Sequence, residues 1–75
     1  MIKFKFDTQL EVVTDFDENT DTITGIETET FKAGEKVDGE IISDREEKGD
    51  VFVDIQFGDG SVAFGVQRDC FEVVA

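Results

Sequence analysis

In the stretch Asp15-Phe16-Asp17-Glu18-Asn19-Thr20-Asp21, alternate side chains carry oxygen: Asp15, Asp17, Asn19 and Asp21. A calcium-binding loop begins in this way, because a hard cation wants several oxygens from one short turn. The remainder of that pattern is not followed. Thr20 stands where the loop needs glycine for its sharp bend, Ile26 stands where a bidentate glutamate closes the cage, and Glu27 comes one place late. A solvated acidic loop is therefore expected, with those four residues as the candidate metal ligands. Pairs such as Asp15 with Asp17, or Glu46 with Glu47, contain the two carboxyls that acid–base chemistry uses. They lie in polar stretches with nothing apolar beside them to raise one pKa above the other. Cys70 has no histidine to activate it, since the chain contains none, and Arg68 is the nearest cation. Gly58-Asp59-Gly60 is followed by neither lysine nor helix, and Asp59 would repel a phosphate. The expectation is a protein that is not an enzyme and carries no cofactor.

Seventy-five residues make one domain, near the lower limit for a core without disulfide or metal. A single cysteine rules out an intrachain disulfide. The first residues lack the basic-then-apolar layout of a signal peptide, so the cytoplasm is the expected compartment. That combination suits a small protein of bacterial or phage type. No apolar run approaches the ~20 residues of a membrane span. Nineteen acids against seven bases give a formal charge of −12, which repels phosphate backbones and anionic lipid. Neither direct nucleic-acid binding nor membrane binding is expected, and the domain reads as a monomer.

The elements that must position these groups are strands. Ile2, Phe4 and Phe6 alternate with Lys3 and Lys5, and Leu10 and Val12 resume the alternation inward after a break at Asp7 to Gln9. From Asp15 to Glu29 there are six acids and no lysine or arginine, which predicts an exposed acidic excursion built as a ragged hairpin. Lys32 to Glu35 is a turn around Gly34, with Phe31 and Val37 pointing into a core. Val37 to Ser43 is extended, Val37, Gly39 and Ile41 sharing one face, and Gly39 marks a bend or close approach. Asp44 to Asp50 reads as a charged loop. The strongest signal is the hairpin of Val51 to Phe57 and Ser61 to Val66 about Gly58-Asp59-Gly60. Alternation there predicts Val51, Val53, Ile55 and Phe57 facing Val62, Phe64 and Val66 in the core, with Phe52 outward. Gln67 to Cys70 fits one 3₁₀ turn, and Phe71 to Val74 a closing strand.

Five to six short strands in this order predict an all-β domain, and at this point the chain resembles the SH3-like barrels. Phe31 to Val37 looks like the end of that family's long first loop, the acidic excursion like the loop itself, and Gly58-Asp59-Gly60 like its distal turn. Gly65 to Val73 resembles the closing pattern of glycine, aliphatic residue, 3₁₀ turn and final strand. The likeness runs from about Leu10 to Val74 and leaves Met1 to Phe6 before the family's first strand. Peptide-binding members line their grooves with a proline and a tyrosine in the 3₁₀ region and a tryptophan on the third strand. The matching positions here are Gln67, Cys70 and Val51 or Phe52, and Val13 and Phe16 are nearest to the family's aromatic pair. Recognition of proline-rich peptides is not implied.

Two functional classes follow. One is a non-catalytic module that meets a protein partner, itself basic, through an apolar patch and the acidic loop. Its candidate contact residues are Phe52, Val13, Asp15, Asp17, Glu27 and Glu29, with Ile42 or Val74 extending the patch if they lie beside Phe52. The other is a nucleic-acid mimic, whose carboxylates occupy the basic groove of a nucleic-acid-binding protein. Mimicry requires acids in rows at phosphate-like spacing, about 7 Å along a strand when alternate positions are used.

Overall fold

The computed structural model describes residues 1–74. Its elements run β1 (Ile2–Phe4), β2 (Thr8–Asp17), β3 (Thr22–Phe31), β4 (Lys36–Val37), β5 (Gly39–Glu47), β6 (Asp50–Phe57), β7 (Val62–Gln67), a 3₁₀ turn (Arg68–Cys70) and β8 (Phe71–Val73). The domain is all-β, with eight strands among the described residues where five to six were expected, because β1 and the two-residue β4 pair as separate strands. Strands β4-β1-β8 form one antiparallel sheet and β3-β2-β7-β6-β5 a second. Among the described residues no helix is long and apolar enough to cross a membrane.

The first strand is the centre of the smaller sheet. Ile2 pairs with Val37 on one side and Val73 on the other, and Phe4 lies opposite Phe71. Residues that precede any family likeness thus clamp the two ends of the chain together. Ile2, Phe4 and Phe71 are buried against Phe31, Val53, Ile55, Ala63 and Val66 of the larger sheet, with Leu10, Val37, Phe57 and Cys70 around them. Phe4 stacks on Phe31 at 4.5 Å between ring centroids, and Phe31 on Phe57 at 5.5 Å. Phe6 does not join this face, as alternation suggested. The strand ends at Phe4, the chain turns, and Phe6 stays 60% exposed while Asp7 accepts a hydrogen bond from the Ala33 amide.

Two turns follow expectation. Gly34 adopts φ +83 in the turn before β4, and the amide of Gly60 donates to Phe57 O while that of Phe57 donates to Ser61 O across the β6–β7 turn. Gly39 is a close approach: a Cβ there would stand 3.3 Å from both Ile55 and Phe57. Three expectations require correction. Asp44 to Glu47 is strand rather than loop, because Lys48 and Gly49 both take positive φ (+52 and +85) and close β5 on β6 by a two-residue turn. Its run of charges is what an edge strand carries against unwanted pairing. The acidic hairpin expected from Asp15 to Glu29 is longer, two ten-residue strands from Thr8 to Phe31, in regular register except for shifts between Val13 and Phe16.

The third correction concerns the core. Val62 is only half-buried and Phe64 is exposed, while Ala63 and Val66 are inside. Between the pairs Val53–Val66 and Ile55–Ala63, β7 contains one residue more than β6. That extra residue is a bulge at Phe64-Gly65, where Gly65 takes φ +69 and its amide donates to the Asp54 carboxylate at 3.0 Å. Val51, likewise expected inside, lies opposite Glu46 beyond the end of the core and is exposed.

Candidate functional site

Cross-strand partners on a sheet share a face. Val13 pairs with Ile26 of β3 and with Val62 of β7, so these three form a row on the side of the large sheet away from the core. Strict alternation would turn Phe16 away from Val13. The shifts at Asp15 and Phe16 restore it, and Phe16, with its partner Ile23, comes to the Val13 side. Gly25 permits this bulge, since a Cβ there would meet Thr14 Oγ1 at 2.8 Å. The bulge in β7 leaves Phe64 on the same side.

The result is an open groove of about 380 Å³, lined by Val13, Phe16, Ile23, Val62 and Phe64 with Thr14, Asp15 and Gly60 at its margin. Phe16 is 47%, Ile23 45%, and Phe64 and Ile26 57% exposed. Scattered apolar residues on a surface are ordinary; here they are contiguous, on a small and acidic domain.

The other side of the β2–β3 hairpin has a second groove of about 420 Å³. Val12, Phe31, Val37 and Phe57 line it together with Glu29, Asp38, Gly58, Asp59 and Ser61. Asp59 accepts hydrogen bonds from both the hydroxyl and the amide of Ser61. Those bonds, the side-chain one first, hold its carboxyl below the usual aspartate value of 3.8.

The expected contact residues divide between these places. Val13 and Asp15 border the first groove and Glu29 the second. Glu27 lies opposite Val12, and Asp17 opposite Thr22 at the hairpin's far end. Phe52 stands apart. Its cross-strand neighbours are Arg45 and Gln67, and the Arg45 guanidinium lies over its ring, 5.8 Å from the centroid. Ile42 is the extra residue of a bulge on the edge strand β5, exposed and unpaired with Phe52. Val62 and Phe64 were expected in the core and lie on the outer side instead. Gly65 was the available signal, because a glycine within a strand pattern marks a bulge.

The candidate metal ligands Asp15, Asp17, Asn19 and Asp21 are strung along the end of β2 and its turn. Asp15 accepts from the Phe16 amide and Asp17 from the Asn19 amide. Among the described residues no three carboxylates or thiols converge as a metal site would require. Cys70 is half-buried against the core, and the Arg68 guanidinium beside it is engaged, 4.8 Å over the Phe71 ring and donating to Phe71 O. Compared with protein-family models, with curated proteins and with solved structures, the chain matches none.

Proposed function

We propose that the chain is a non-catalytic protein-interaction module on an SH3-like barrel, and that its contact surface is the outer face of β2, β3 and β7. The observation that carries this reading is the apolar groove of Val13, Phe16, Ile23, Val62 and Phe64. The barrel reading is supported by element order from β2 onward: a long hairpin, a second hairpin with a tight turn, and a 3₁₀ turn before the closing strand. The family's proline-peptide groove is not the surface invoked.

The partner is basic around an apolar ridge. No lysine or arginine occurs between Phe6 and Phe31, so the hairpin that supplies most of the groove is flanked by carboxylates alone. A second copy of the chain would be repelled by its own charge of −12. Burying a phenylalanine side chain contributes about 1.5–3 kcal/mol. Phe64→Ser is therefore expected to weaken capture of the partner from the source cell by roughly tenfold or more. Raising salt from about 0.1 to 1 M shortens screening from about 10 to 3 Å and should weaken the complex without abolishing it. Capture unchanged in both Phe64→Ser and Ile23→Ser would overturn the reading.

The second reading, a nucleic-acid mimic, draws on Glu27 and Glu29, which alternate on the edge strand β3. Against it, Asp15 and Glu29 border grooves on opposite sides of the hairpin instead of one row. Displacement of the partner by DNA or RNA, with Phe64→Ser without effect, would favour mimicry.

A further inference from the structure

The second groove is independent of the surface just proposed. Its floor is apolar: Val12 and Phe31 lie beneath as core residues, and the half-buried Val37 and Phe57 are its more accessible part. Its rim carries three carboxylates from three different parts of the chain, Glu29 on β3, Asp38 between β4 and β5, and Asp59 in the β6–β7 turn. Among the described residues, no lysine or arginine forms an ion pair with any of them; the ion pairs are Lys3 with Glu72, and Arg45 with Glu47 and Asp54. One Asp59 oxygen accepts both Ser61 hydrogen bonds, so the other remains for a ligand.

Elsewhere the same chain satisfies this combination from within. Arg45 lies over the ring of Phe52 while its guanidinium stands 3.6 Å from Asp54 and 3.8 Å from Glu47. Phenylalanine below and carboxylates at the edge are what a planar, weakly hydrated guanidinium prefers, and an ammonium fits it less well. The second groove repeats phenylalanine and carboxylates but has no arginine of its own.

We infer that this groove receives an arginine side chain from a protein partner, its stem on Val37 and Phe57 and its guanidinium toward the carboxylates of Glu29, Asp38 and Asp59. A basic partner that seats its apolar ridge on the outer face would then grip the hairpin from both sides, although neither contact requires the other.

The test is a titration of ¹⁵N-labelled protein with acetyl-Gly-Arg-Gly-amide, beside the same peptide with lysine or glutamine in the middle, followed by amide shifts. Saturable shifts confined to Glu29, Phe31, Asp38 and Gly58 to Ser61 are expected from the arginine peptide. The lysine peptide should give weaker shifts at the same places and the glutamine peptide none. The double variant Glu29→Gln, Asp38→Asn alters exposed side chains only, so it should fold and lose affinity on the order of tenfold. Phe64→Ser should leave the shifts unchanged, which separates failure of this groove from failure of the outer face. Shifts spread equally over Asp15 to Asp21 and Asp44 to Asp50 would reduce the effect to general attraction by net charge and overturn the inference. So would shifts of equal size from arginine and lysine, or none at all.

Discussion

Val12 and Val13 are neighbours in sequence and chemically identical, yet Val12 is buried and Val13 lines an open groove. The same division runs across the large sheet. Val12, Ala63 and Ile55 form a paired row facing the core, and Ile26, Val13 and Val62 form the next row facing out. Both rows are apolar. The comparison teaches that apolar content alone does not define a core here; what decides is which face the smaller sheet covers. Ile2, Phe4 and Phe71 close one face, and among the described residues Phe16, Ile23, Ile26 and Phe64 stay exposed on the other.

If that division is right, substitutions on the two faces must differ in kind. The largest effect is expected from Ile55→Ala, which opens a cavity beneath the small sheet and should cost about 2–5 kcal/mol in urea unfolding. A loss under about 1 kcal/mol would mean that the inner face is not the core. Next comes Asp54→Ala. It removes the acceptor of the Gly65 amide and a partner of Arg45, and should cost about 1–3 kcal/mol. Because that bond holds the bulge, the amide shifts of Phe64 and Gly65 should move most. Gly65→Ala forces a β-carbon into φ +69 and to 3.2 Å from the Arg45 guanidinium, at a cost of about 1 kcal/mol or more. Phe64→Ser, by contrast, should change stability by no more than about 0.5 kcal/mol while weakening the partner.

The smallest effect concerns the turn between the two grooves. The Asp59 carboxyl is held below its ordinary value by Ser61, so ionised Asp59 favours the folded state at pH values above the ordinary aspartate range. That contribution is lost as pH falls through the depressed folded value. The stability difference between the wild-type chain and Asp59→Asn should therefore be flat near neutral pH and shrink below about pH 4. A difference that grew on acidification would reverse the sign.

Local features of this arrangement are written in the sequence; its register is not. The alternation of Ile2 with Phe4, the Gly34 turn, the hairpin about Gly58 to Gly60 and the 3₁₀ turn at Arg68 to Cys70 were all legible, because each depends on local periodicity or backbone freedom. What escaped depends on one inserted residue. The Phe64-Gly65 bulge and the shifts at Asp15 and Phe16 transfer Val62, Phe64, Phe16 and Ile23 to the outer face, and a single step in register exchanges every side chain between faces. Phe52 was marked as the outward aromatic residue, and it is shielded by Arg45, a pairing across β5 and β6 that only register reveals. The second groove was illegible for another reason. Glu29, Asp38 and Asp59 are far apart in the chain and border one groove only when β3, the β4–β5 connection and the β6–β7 turn are folded together.

The most direct measurement is site-specific photo-crosslinking in the source cell, with a benzophenone side chain placed singly at Phe64, Phe16 and Ile23 and, as controls, at Glu35 and Glu46. Crosslinks to one common protein from the three groove positions and not from the controls are expected. Equal labelling at all five positions, or labelling at the controls alone, would show that the outer face of β2, β3 and β7 is not where the partner binds.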